Sequence, residues 1–190
     1  ALLERRLAVM VLSDIGTLTE TEIERLETWI ADGGVLVRFA GPNLADGTDR
    51  LLPVDLRRGG RVFGGVMSWD QPSKLASFDE TSPFAGLIPS DEIIVRRQVL
   101  AQPSPELASK TWARLEDGTP LVTGEKRADG WLVLFHTTAN AEWSSLAFSG
   151  LYVDMLRRLV ALSQGVASDN TATRPLPPLS TLDGFGRLSE

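Results

Sequence analysis

Two residues of this chain have side chains and settings suited to proton transfer. Asp14 follows Ser13 at the end of the apolar run Leu7-Ala-Val-Met-Val-Leu12, and His136, the sole histidine, closes Val133-Leu-Phe135. A carboxylate and an imidazole are common partners in general acid–base chemistry, which makes Asp14 and His136 the catalytic candidates. Each also has a plainer reading. A carboxylate leaving a strand often caps a turn or the next helix, and a lone histidine at a strand end is commonly a hydrogen-bonded structural group. Thr137, Thr138 and Asn140 add hydroxyl and amide groups beside His136 that suit binding better than bond cleavage.

Other chemistries lack their groups. With no cysteine there is no thiol nucleophile, disulfide or Cys-based zinc site, and one histidine leaves a zinc site short of its usual ligands. A serine hydrolase needs a Gly-x-Ser-x-Gly elbow, which the sequence does not contain. Ser144-Ser145 precedes a predicted helix, where N-capping accounts for it. Asp46-Gly-Thr-Asp49 has the composition of a calcium loop without its spaced ligands or terminal glutamate. Neither a metal nor a cofactor is expected.

A formal net charge of −6 over 190 residues opposes nucleic-acid binding, which depends on Lys and Arg replacing counterions. No apolar run reaches the roughly 18 residues that span a bilayer, and nothing at the start reads as a signal peptide. The opening Ala1-Leu-Leu-Glu-Arg-Arg6, without a methionine and almost at once apolar, reads as a piece of a longer protein.

The elements that must position these residues follow from periodicity. Leu7 to Leu12 is a continuous apolar run, as in a strand buried on both faces. A helix then begins with Thr19 as N-cap and Glu22 as its capping-box partner. Ile23, Leu26, Trp29 and Ile30 form its inner stripe, and Asp32-Gly33-Gly34 ends it. Val35 to Phe39 is the second strand, and strand, helix and strand at this spacing predict a parallel βαβ unit. Arg57 to Arg61 and Phe63 to Val66 read as loops or weak strands, and Ile93 to Leu100 as a strand with one wet face. Lys110–Leu115, Pro120–Lys126 and Trp131–Phe135, broken at Glu116-Asp117-Gly118 and at Arg127-Ala-Asp-Gly130, predict an antiparallel meander. Phe148 to Leu162 is an amphipathic last helix with Leu151, Met155, Leu159 and Leu162 inward.

In open α/β sheets ligands bind beyond the carboxyl ends of parallel strands, which makes Ser13, Asp14, Gly16, Ala40, Gly41 and Asn43 the geometric candidates. Trp69, Trp112, Trp131 and Trp143 suit either a binding face or the core, and the core reading fits Trp131 best.

Val9-Met-Val-Leu-Ser-Asp14 and Gly33-Gly-Val-Leu-Val-Arg-Phe-Ala-Gly-Pro-Asn-Leu44 resemble the early strands of the class I glutamine amidotransferase-like superfamily, and Val133-Leu-Phe-His136 is similar to its late histidine strand. Matching the glycine after the turn to Gly41 puts Phe39 at the nucleophilic cysteine position. The partner carboxylate position falls on Thr138, and Glu142 is off the pattern. The resemblance therefore implies the scaffold without the thioester chemistry. Thr28 to Pro42, Asp117-Gly-Thr-Pro-Leu-Val122 and Glu142-Trp-Ser-Ser-Leu-Ala-Phe-Ser149 are similar to the amidotransferase-like region of large bacterial membrane proteins related to the BatA aerotolerance regulators. That implies a parent chain tethered to the inner membrane.

The expected fold is α/β: a flavodoxin-like doubly wound sheet with a parallel core and an antiparallel extension over residues 1–166. Residues 167–190 are expected to be a Pro-rich tail or linker. The expected function is a non-catalytic module binding a small ligand or a protein partner, with Ser13, Asp14, Gly41, Asn43 and His136 as its ligand-binding set. The alternatives are an uncharacterised hydrolase or transferase using Asp14 and His136, and a structural spacer.

Overall fold

A computed structural model describes residues 7–47, 49–57, 66–163, 181–182 and 188–189, with the backbone alone for 66–71, 181–182 and 188–189. The order is β1 (Val9–Ser13), α1 (Glu20–Ala31), β2 (Val35–Phe39), α2 (Pro42–Asp46), β3 (Val66–Lys74), β4 (Ile94–Val99), α3 (Leu107–Lys110), β5 (Thr111–Arg114), β6 (Pro120–Arg127), β7 (Gly130–Phe135), a 3-10 turn (Leu146–Phe148), α4 (Gly150–Leu162), β8 (Thr181–Leu182) and β9 (Leu188–Ser189). The expected loops or weak strands at 58–61 and 63–65, and the expected tail apart from β8 and β9, lie outside the described residues.

The main sheet is α/β and mixed, in the order β1-β2-β7-β6-β5. β1, β2 and β7 run parallel, with Val35 opposite both Val9 and Trp131. β6 and β5 extend the sheet antiparallel through two hairpins. Both hairpins turn where the sequence predicts, with Gly118 at φ 85° and Ala128 at φ 51°. β3 and β4 form a separate antiparallel pair.

Each helix is held where its stripe meets the sheet. Thr19 and Glu22 complete the capping box of α1, and Gly33, at φ 103°, lets the chain turn back into β2. Ile23, Leu26, Trp29 and Ile30 of α1 pack on Leu36 and Leu132. Met155 and Leu159 of α4 pack on the opposite face, against Val35, Val37, Phe39, Val133 and Phe135. Because side chains alternate along a strand, β2 serves both layers and is buried throughout.

β1 is not fully buried but is, among the described residues, the edge strand of the sheet, and Val11 remains 49% exposed. Its apolar run still packs on both sides, Leu7, Met10 and Leu12 in the α1 layer and Val9 in the α4 layer, while Val11 stays in water. The helix expected from Phe148 starts at Gly150 instead, because Ser149 Oγ accepts the Tyr152 amide and caps it.

Candidate functional site

The carboxyl ends of β1, β2 and β7 bring Asp14, Gly41 and Thr138 together. A Cβ built on Gly41 would lie 2.5 Å from the Asp14 carboxyl carbon and 2.6 Å from Thr138 Cγ2. Of the ligand-binding set, the rim unites Asp14, Gly41 and Asn43. Ser13 lies beside Phe39 in strand register and is exposed.

Asp14 is fully engaged. Its Oδ1 accepts the Gly41 amide at 2.9 Å and the Leu44 amide at 3.0 Å, and its Oδ2 accepts Asn43 Nδ2 at 3.1 Å. The Asn43 amide adds a longer contact at 3.4 Å. The carboxylate thus caps the start of α2, whose N-cap, Gly41, has no side chain to do so. Asp14 adopts φ 42°, a conformation aspartate tolerates better than most residues. As a base it would have to give up these donors, so the plainer reading of Asp14 is the one the geometry supports.

Arg38 ties the rest of the rim. On β2 beside Phe39 it is 1% exposed, and its guanidinium reaches both oxygens of Asp49, at 2.6 and 2.7 Å, and the Ile15 carbonyl at 2.9 Å. Asp49 in turn accepts the Leu51 amide at 2.9 Å. This buried pair joins the two loops that follow β1 and α2. An arginine inside an apolar strand was the sequence signal for it, and the distant carboxylate partner was not readable.

His136 does not belong to a solvent-facing rim, which corrects its placement in the ligand-binding set. It is fully buried. Nδ1 lies 2.8 Å from the Val99 carbonyl, so it carries the proton and donates, and Nε2 accepts from Thr123 Oγ1 at 3.0 Å. Burial lowers its pKa to about 4, against the opposing effect of the Val99 carbonyl, and the ring is neutral. Its neighbours are equally structural: Thr137 Oγ1 donates to the Arg97 carbonyl, and Asn140 accepts the Glu142 amide within its own turn.

The positions matched to an amidotransferase triad hold no nucleophile. Phe39 is 3% exposed and stacks on Phe135 with centroids 4.8 Å apart and planes 14° from parallel. Tyr152 meets both rings edge-on. Thr138 Oγ1 is buried without a hydrogen-bond partner among the described residues. Among the described residues no group of three or more His, Asp or Glu side chains is placed to hold a metal.

Ser144 Oγ accepts the Leu146 amide, and Ser145 Oγ bonds β4 at the Ile94 amide, so neither caps α4. Trp112 and Trp143 are buried, and Trp131 packs edge-on against Trp112 at 5.4 Å, which assigns them to the core rather than to a binding face. The Trp69 side chain lies outside the described residues.

A concave feature unforeseen from the sequence opens between the 86–93 loop and the start of α4. This groove of about 660 Å³ is lined by residues including Leu87, Ile88, Glu92, Phe148, Leu151 and Asp154. No helix among the described residues is long and apolar enough to cross a membrane.

No family model matches the sequence, and no curated protein matches it. The fold is similar to two solved cytoplasmic proteins of Salmonella typhimurium. STM3548 has 15% identity and a TM-score of 0.66, and STM1381, from strain LT2, has 13% and 0.65; in both cases 83% of this chain and 72% of the other are covered. A cold-adapted beta-galactosidase from Rahnella sp. R3 is similar at 15% identity and a TM-score of 0.55, over 92% of this chain and 25% of that one. At these identities the likeness is one of fold.

Proposed function

We propose that this chain is a non-catalytic, flavodoxin-like module of the glutamine amidotransferase-like kind. In this reading it binds a small ligand or a protein partner within a larger bacterial protein, whose membrane attachment lies in segments outside the module. The observation that carries the proposal is the saturation of the strand-end chemistry. The Asp14 carboxylate is spent on capping α2, and a stacked phenylalanine stands at the nucleophile position. The imidazole is fully buried between Val99 and Thr123. A hydrolase or transferase using Asp14 and His136 would need a water-accessible imidazole. Occurrence of a similar fold as a quarter of a larger enzyme chain supports the module reading.

The test has two arms. Purified protein incubated with glutamine releases no ammonia beyond a heat-unfolded control, and Asp14→Asn or His136→Asn in the parent protein leaves its cellular activity intact while circular dichroism shows the fold retained. Ammonia release by the native chain, or loss of cellular activity in a folded His136→Asn variant, sinks the proposal.

A further inference from the structure

The groove between the 86–93 loop and α4 has the properties of a docking site. Its walls present Ile88, 86% exposed, from the loop and Phe148, 71% exposed, from the 3-10 turn, with Leu87, Ile93 and Leu151 deeper in. Isolated apolar residues at a surface are ordinary. Two large ones flanking a single concavity are not, because each leaves apolar area in water that a partner would cover.

The walls are held rigidly. Ser145 Oγ accepts the Ile94 amide at 3.0 Å and donates to the Glu92 carbonyl at 3.1 Å, while the Ser145 amide donates to the Ile94 carbonyl at 3.0 Å. At the other end of the loop Phe84 is fully buried, and Ser82 Oγ donates to the Trp112 carbonyl at 2.6 Å. A site of this kind loses little conformational freedom on binding.

Charge selects the occupant. Among the described residues no Lys or Arg lines the groove, and the two charged ones that do are Glu92 and Asp154. Asp154 is paired with Arg157 at 2.8 Å. The exposed Glu92 carboxylate has no ion-pair or hydrogen-bond partner among the described residues, so it is available to a cation.

Building on the module reading, we infer that this groove docks a short apolar segment of another protein that carries a lysine or arginine. Its apolar side chains seat between Ile88 and Phe148, and its cation meets Glu92.

The test is selection of displayed random decapeptides on the 190-residue chain, followed by fluorescence anisotropy with the enriched peptides. Enriched sequences are expected to combine large apolar residues with Lys or Arg. Phe148→Ser and Ile88→Ser should each weaken binding about tenfold or more, and Glu92→Lys should shift the preference from Lys-bearing peptides to their Glu-bearing counterparts. Both apolar positions are solvent-exposed, so the variants keep their fold, as circular dichroism would verify. Failure to enrich any peptide overturns the inference, as does a Glu92→Lys variant with unaltered preference. Peptides that bind Phe148→Ser and Ile88→Ser as well as the native chain overturn the groove while leaving the module reading intact, which the glutamine assay tests independently.

Discussion

His136 grips Val99 twice: its backbone carbonyl accepts the Val99 amide at 2.8 Å, and its Nδ1–H donates to the Val99 carbonyl at 2.8 Å. The imidazole thereby completes a pairing that backbone alone would make between two strands, and it fastens β4 to the end of β7. Protonation would break the neutral arrangement, since Nε2 is needed as the acceptor for Thr123.

The pH dependence follows. Taking about 6.5 unfolded and about 4 folded, the unfolded chain binds more protons between these values, so stability falls as pH drops through that window. His136 contributes in full above about pH 6.5, and about 2 kcal/mol of that is lost by pH 5. Urea titrations at pH 7.5 and 5 should show this loss in the native chain. It should be absent from His136→Asn, which keeps a donor near the Nδ1 position; an equal loss in the variant would remove His136 as the cause.

Asp14 and Gly41 form a matched pair, one supplying the cap and the other the space for it. Asp14→Ala removes the acceptor of the Gly41 and Leu44 amides and places alanine at φ 42°, so it should cost about 2–3 kcal/mol. Asp14→Asn keeps an acceptor and tolerates that φ, and should cost about 1 kcal/mol. Gly41→Ala should lose about 2 kcal/mol by overpacking. Adding Thr138→Ser, which deletes the methyl 2.6 Å from the new Cβ, should recover part of it. Denaturant midpoints at pH 7.5 give all four values.

Arg38 and Asp49 are suited to a double-mutant cycle. Arg38→Met alone strands a buried carboxylate whose partner was 2.6 Å away, at a cost of about 3–5 kcal/mol. Asp49→Asn retains an acceptor for the Leu51 amide. The double variant should be less destabilised than the sum of the singles by at least about 1 kcal/mol. Strict additivity would show that the pair is not coupled.

Phe39→Cys tests the proposed amidotransferase-like reading by introducing a thiol at the position which that reading gives to the nucleophile. It also deletes one ring of the stack with Phe135, and should cost about 3 kcal/mol. With no carboxylate at Thr138 and the imidazole bonded elsewhere, ammonia release from glutamine should stay at background. Measurable release would mean that His136 can reach the new thiol.

The local elements were legible because their signals are local. Thr19 and Glu22 announce α1, Asp117-Gly118 and Asp129-Gly130 announce the hairpins, and the spacing of Met155 and Leu159 marks the inner face of α4. What sequence pattern does not carry is who stands opposite. The run from Leu7 to Leu12 has the composition of a central strand, yet nothing in it records that β1 has one neighbour among the described strands. Val99 lies 37 positions from His136 and Asp49 lies 11 from Arg38, so the partners that set their roles appear only in three dimensions. Phe148 and Ile88 are apolar in composition, and only the fold reveals that nothing covers them among the described residues.

The pairing of β2 with β7 has a kinetic side. β1, α1 and β2 assemble from neighbouring residues, as do β6 and β7, but Val35 and Trp131 are roughly 95 residues apart. Closing that span must wait until both halves offer enough surface to offset the lost chain entropy. We expect the β2–β7 seam to close late in folding, with the Phe39–Phe135 stack at its end as a reporter of it. Mutations there should change the folding rate little and hasten unfolding, whereas weakening the α1 capping box or the β6–β7 turn should slow the approach.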